Sequence, residues 1–212
     1  HGESQWAPAD AYGTQEMVGD LKAFVGAKGL DDFVLLGLSM GGIVSFGYAG
    51  ERPAELSRLI IVDIAPEIAT RGLETILSNV ARSDVFESRE AAFERAREDN
   101  PVPPEAHHRD RVYHSLMRTD DGRWTYRYDR ALRDPGNRRE GIAPDEGWRL
   151  VRSITVPTLL IRGEHSDILA RGVAERFIRE VPESRLEEVA GSGHPVPLDK
   201  PEDFLAVVRD FL

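Results

Sequence analysis

From Phe33 to Gly37 the chain carries no charge, and the apolar positions are continuous rather than alternating. That is the pattern of a strand covered on both faces, as in a parallel sheet. It recurs at 58–64, RLIIVDI, and at 156–162, VPTLLIR, with a shorter fourth strand expected at 184–189. Between these runs the period becomes helical. Met17, Val18, Leu21, Phe24 and Val25 follow Thr14, a candidate cap, and Gly29 ends that helix after about Lys28. Further helices are expected from about Gly42 to Glu51, stopped by Pro53, from 147 to 153, with Trp148 and Leu150 inward, and up to about Glu180. The last spans 201–212, with Phe204, Leu205, Val208, Phe211 and Leu212 on its apolar face. Helices alternating with buried strands predict an α/β protein with a mostly parallel sheet flanked by helices.

Residues 65–145 break this rhythm. They are polar and rich in arginine, with sparse apolar positions in helical segments near 72–82, 88–98 and 104–118. Leu73, Ile76, Leu77 and Val80 mark the first, and Ala92, Phe93 and Ala96 the second. Asp120-Asp121-Gly122 reads as a turn, the alternating Trp124, Tyr126 and Tyr128 as an extended piece, and 134–146 as turn-rich. The stretch is expected to be a helical insertion over the sheet. It divides the chain into a first core part (1–64), a helical cap (65–145) and a second core part (146–212).

Composition narrows the chemistry. The formal net charge is −10, which argues against a nucleic-acid or anionic-membrane partner. No cysteine is present, so disulfides, thiolate metal sites and cysteine nucleophiles are excluded. No apolar run approaches the roughly 18 residues of a membrane span, and no signal peptide is visible; a cytoplasmic protein is expected. His107, His108 and His114 lack a matching carboxylate cluster, so no metal site is expected.

The first apolar run ends in Gly37-Leu38-Ser39-Met40-Gly41-Gly42. A strand, then G-x-S-x-G, then a helix describes a sharp turn with serine at its apex, exposed at the carboxyl end of the strand. Glycines two residues from the serine are expected to relieve a clash of backbone on backbone. A serine hydroxyl is a weak nucleophile and needs a histidine base, itself held by a carboxylate. Asp167 follows the third long strand and His194 the fourth, so the order is Ser39, Asp167, His194.

Together GLSMGG, PTLLIRGEHSD, GSGHPVPLDKPEDF and the front HGESQWAP…AYG resemble the α/β-hydrolase-fold serine hydrolases of the cap-bearing, esterase-like group. The resemblance spans nearly the whole chain. It implies a carboxylesterase-like enzyme acting on a small-molecule ester or related acyl substrate. It also implies no cofactor and a helical cap between the second and third long strands. Ser39 would be the nucleophile, His194 the base, Asp167 the acid, and the Met40 N–H one oxyanion donor. Asp63 and Glu164 are rival acids, because the acid loop is one residue longer than the usual G-x-x-D. Leu38 stands where histidine often precedes the nucleophile.

Such enzymes usually have about eight strands, and four are expected here. His1-Gly2 superficially resembles the loop that would give the second oxyanion donor, but it is spaced too close to Ser39. The expectation is therefore a C-terminal portion of a longer enzyme, with an open sheet edge. Two rival readings remain: a non-catalytic small-molecule-binding protein on this fold, or a portion active only with its N-terminal segment.

Overall fold

The computed structural model describes residues 3–137 and 141–212; His1-Gly2 lies outside the described residues. Helix α1 (Thr14–Lys28) leads into β1 (Phe33–Leu38), α2 (Met40–Ala49) and β2 (Leu56–Val62). The segment after β2 holds α3 (Thr70–Ala81), β3 (Val85–Phe86), α4 (Arg89–Asp99), α5 (Glu105–Ser115), β4 (Leu116–Arg118) and β5 (Trp124–Tyr126). The chain returns through α6 (Pro144–Arg152), β6 (Thr158–Gly163), α7 (Arg171–Glu180), β7 (Ser184–Val189), a single turn α8 (Val196–Asp199) and α9 (Pro201–Phe211).

The main sheet has the order β1-β2-β6-β7, and every pairing is parallel. Strand β2 lies inside the sheet, which is why its run from Leu59 to Val62 is apolar. Leu59 and Ile61 join the core built with α1, α2, α6 and α7, while Ile60 and Val62 join the core under α9. All four are at most 1% exposed. Full burial of a side chain of this size stabilises by roughly 1.5–3 kcal/mol, so the sheet centre fixes the register of its neighbours. Strand β1 is an edge, and its Val34 and Leu36 remain 40% and 43% exposed.

Element boundaries shift in ways that matter for the site. Helix α2 starts at Met40, directly after Ser39, rather than near Gly42, and β2 ends at Val62, leaving Asp63 just beyond the sheet. Gly13, not Thr14, is the N-cap of α1, and Thr14 makes no capping bond; Gly29 closes the helix in the left-handed region, φ 58°.

The segment between β2 and β6 contains a small antiparallel sheet, β3-β5-β4, beside its helices. The alternation at Trp124 and Tyr126 is its middle strand. Phe86, Phe93, Val112 and Leu116 form a separate core here. Buried Asp84 ties this unit together. It accepts from Tyr128 Oη at 2.6 Å and Arg130 Nη1 at 2.7 Å, with Arg133 Nη1 3.7 Å away. Burial pushes its carboxyl up, yet these donors outweigh that and hold it below the usual carboxylate range. In α3, Leu73, Ile76 and Leu77 are exposed rather than packed, and Gly72 is the buried residue.

Candidate active site

The site forms where three strands of the main sheet end side by side. Parallel pairing of β1 with β2 puts Leu38 opposite Val62, so the residues that follow, Ser39 and Asp63, leave the sheet together. Both adopt left-handed backbone, φ 53° at Ser39 and φ 55° at Asp63. Non-glycine residues held there cost of order 1–3 kcal/mol each and persist where the surroundings over-determine them. At Ser39 the surroundings are a bond from its amide to the Val62 carbonyl (3.0 Å) and the start of α2. The Asp63 amide donates to the Ile161 carbonyl of β6 at 2.7 Å.

Tight packing at the turn falls on Gly37 and Gly42, not on Gly41. A Cβ on Gly37 would overlap the Gly41 carbonyl and the Ser45 hydroxyl, and one on Gly42 would overlap Ile64. Around Gly41 nothing lies within 4 Å outside its own helix. The serine is thus raised by the strand and first helical turn closing on each other at Gly37.

Ser39 Oγ lies 2.9 Å from His194 Nε2, and His194 Nδ1 lies 2.8 Å from Asp63 Oδ2. The ring can therefore carry its proton on Nδ1, donate it to Asp63, and accept at Nε2 from the serine. Asp63 is fully buried, whereas the His194 side chain is 25% exposed. The carboxylate has two further donors, the Gly163 amide to Oδ1 at 2.8 Å and the Ser166 hydroxyl to Oδ2. Ser166 Oγ in turn accepts from the amides of Ile168 and Leu169, both at 3.1 Å. A buried carboxylate with three donors is satisfied as an acceptor and stays in position.

Asp167, expected against His194, is not in contact with it. Its Oδ2 accepts from Thr75 Oγ1 of α3 at 3.0 Å, because the longer acid loop turns Ser166 inward and Asp167 outward. The rival Asp63 occupies the place beside the imidazole. Glu164, the other rival, accepts from the Gly191 amide at 2.8 Å and braces the loop before the histidine. Sequence reasoning missed Ser166 entirely; its only signal was a small hydroxyl residue directly before Asp167.

Met40 is the first residue of α2. Its amide has no carbonyl one turn back to bond, as at every helix start, and it adjoins Ser39 with the positive end of the helix behind it. Its side chain is 56% exposed. A cleft of about 890 Å³ opens beside His194 and Pro195, bordered by Ile76 and Asn79 of α3 and by Val102. Among the described residues no three histidine or acidic groups come together as a metal site. His108 is buried against Phe93, ring centroids 5.8 Å apart, while His114 faces solvent beside Asp110. No helix among the described residues is long and apolar enough to cross a membrane.

Comparison with known proteins agrees with this architecture. A 3-hydroxybutyrate-oligomer hydrolase from Cupriavidus necator is 27% identical over 213 residues, which cover 91% of this chain and 70% of that protein. An esterase from Mycobacterium tuberculosis is 27% identical over 220 residues, covering 100% of this chain and 71% of the relative. Among solved structures, an alpha/beta hydrolase from Novosphingobium aromaticivorans has a TM-score of 0.85 at 28% identity, over 99% of this chain and 76% of that one. The profile of the alpha/beta hydrolase family matches residues 1–207, and the chain belongs to that family.

Proposed function

We propose that this chain is a serine esterase in which Ser39, His194 and Asp63 act as a triad. Ser39 Oγ attacks the ester carbonyl while His194 Nε2 takes its proton. Asp63 orients the ring through Nδ1 and stabilises the imidazolium. The Met40 amide donates to the oxygen that gains negative charge, an interaction worth roughly 10²–10³ in rate for a single donor. His194 then returns the proton to the leaving alcohol, and the acyl group remains on Ser39. Water enters, gives a proton to His194, and releases the acid. The segment 65–145 is the cap, whose cavity selects the substrate.

One observation carries this reading: the unbroken hydrogen-bond chain from Ser39 through His194 to the buried carboxylate of Asp63, at 2.9 and 2.8 Å. The esterase and hydrolase names of the relatives support the same reaction class. The test is hydrolysis of p-nitrophenyl butyrate by the chain and its Ser39→Ala variant, with fluorophosphonate labelling and peptide mapping. Turnover abolished in the variant, with label on Ser39, is expected. Turnover that persists in the variant, or label elsewhere, would overturn the assignment.

A further inference from the structure

A second cavity, of about 320 Å³, lies between the segment after β2 and the Pro195–Leu198 stretch, and shares Asn79, Asp99, Asn100 and Pro195 with the cleft beside His194. The two spaces thus adjoin across these four residues, and Pro195 directly follows the histidine. Asn100 also anchors the boundary, since its Nδ2 donates to Asp199 (2.7 Å), which accepts from the Gly193 amide (2.7 Å).

The inner cavity is cationic in a chain whose net charge is −10. Arg82, Arg95, Arg111 and Arg133 line it, against Asp84 and Asp99. Three of these arginines are already engaged. Arg82 holds Asp99 through 2.8 and 2.9 Å bonds. Arg133 bonds the Tyr128 hydroxyl at 2.9 Å and the Val80 carbonyl at 2.5 Å. Arg95 bonds the Ser83 carbonyl at 2.6 Å and lies over the Phe86 ring at 4.1 Å.

Arg111 differs. No carboxylate among the described residues lies within ion-pair distance of it. Its one side-chain hydrogen bond runs from Nη2 to His108 Nε2 at 3.4 Å. Its side chain reaches solvent at one side of the cavity, yet partial desolvation by the groups packed around it lowers its pKa from the usual guanidinium value. His108 cannot compensate, because burial and the Arg111 charge lower its own pKa too. A guanidinium so situated presents a planar fork of donors to the cavity, the geometry that matches a carboxylate bidentately.

We propose that Arg111 is the anion-binding end of an acyl subsite, and that the enzyme prefers esters whose acyl chain ends in a carboxylate. The inference rests on the esterase reading above. The scissile ester sits at Ser39, and the chain runs past Pro195 and Asn100 into the inner cavity, where its distal carboxylate meets Arg111. This contact leaves the bond-breaking steps unchanged and acts on substrate choice.

The experiment compares mono-p-nitrophenyl adipate and suberate with p-nitrophenyl hexanoate and octanoate, on the chain and on Arg111→Met and Arg111→Lys variants. The native chain is expected to favour the anionic ester of each pair in kcat/KM by tenfold or more. Arg111→Met should lower that anionic-to-neutral ratio by at least tenfold, mainly through KM, and Arg111→Lys should restore part of it. Calorimetric titration of adipate into the Ser39→Ala chain gives a readout without turnover: binding is expected, and it should weaken tenfold when Arg111→Met is added. Neutral-ester turnover with no anionic preference, or an unchanged ratio in Arg111→Met, would overturn the subsite and leave the esterase reading intact. Absence of turnover on all four esters would count against the esterase reading, and adipate binding to the Ser39→Ala chain would then decide the subsite separately.

Discussion

Gly163 at the end of β6 and Gly193 beside the histidine lie backbone against backbone. A Cβ on Gly163 would overlap the Gly193 carbonyl and come within 2.9 Å of the Ser192 carbonyl oxygen. Neither obstacle is a flexible side-chain end, so Gly163→Ala must displace the loop that carries His194. A shift of about 1 Å at a catalytic group costs on the order of 10² in rate. Gly163→Ala should therefore lower kcat on p-nitrophenyl butyrate by about 10²-fold with little change in KM. Steady-state kinetics, alongside a thermal melt to follow folding, reads this directly. A variant with native kcat would mean that the loop yields without moving the imidazole.

The two aspartates near the histidine should separate cleanly. Asp63→Asn removes the acceptor that selects the Nδ1–H tautomer, and a fall of about 10³–10⁴ in kcat is expected. Asp167→Asn keeps a group able to accept from Thr75 and should stay within about threefold of the native rate, as is usual for a surface change away from such features. Comparable losses in both variants would return Asp167 to consideration as the acid.

Ser166 acts through Asp63. Replacing it by alanine removes one donor to the carboxylate and leaves the amides of Ile168 and Leu169 without their acceptor. A loss of about 1–3 kcal/mol in stability follows from leaving such groups unpaired. Activity should fall by about tenfold, chiefly in kcat, since a 1.4 kcal/mol change in positioning is a factor of ten. Ser166→Thr, which keeps the hydroxyl, should recover most of the rate. A threonine variant as slow as the alanine one would show that packing, not the hydroxyl, matters there.

His108 gives the segment between β2 and β6 a pH dependence of definite sign. Its folded pKa is lowered, first by burial and then by Arg111, against a smaller opposing effect of Asp199. The unfolded chain then binds a proton more readily than the folded one. The stability concerned is complete above the unfolded value of about 6.5 and is lost as pH falls through the lower folded value. Urea unfolding at pH 7.5 and 5.0 should show a larger acid loss in the native chain than in His108→Gln. Equal losses would remove His108 as the source.

The apolar runs made the inner strands β2 and β6 legible, because a strand buried on both faces leaves no polar alternation to confuse it. Ser39 and His194 were legible for a different reason: each comes after the carboxyl end of a strand, β1 and β7, where side chains converge. Asp63 was harder. It too follows a strand, but so do Asp167 and Glu164, and choosing among them depends on which carboxylate the loop turns inward. A spacing rule cannot see that Ser166 takes the inward position and sends Asp167 to Thr75. Of the small sheet, β5 showed as the alternation at Trp124 and Tyr126, while β3 and β4 escaped because strands of two or three residues carry too few positions to show a period. Arg111 was invisible for the same kind of reason: what distinguishes it is the lack of a partner, a property of space rather than of sequence.

Asp63 precedes the entire segment that joins β2 to β6, and this has a consequence for how the chain can change. Ser39 and Asp63, the proposed nucleophile and acid, sit within one short stretch, 33–63, after neighbouring strands whose pairing holds them together. The intervening segment can thus be exchanged, lengthened or cut at its outer turn near Gly122 without parting the two. Only the histidine must be brought back from the far side of the insertion, and it arrives on a loop packed against Gly163 and held by Asp199 through the Gly193 amide. Under the proposed function, variation in substrate choice and preservation of the reaction would fall to different stretches of one polypeptide.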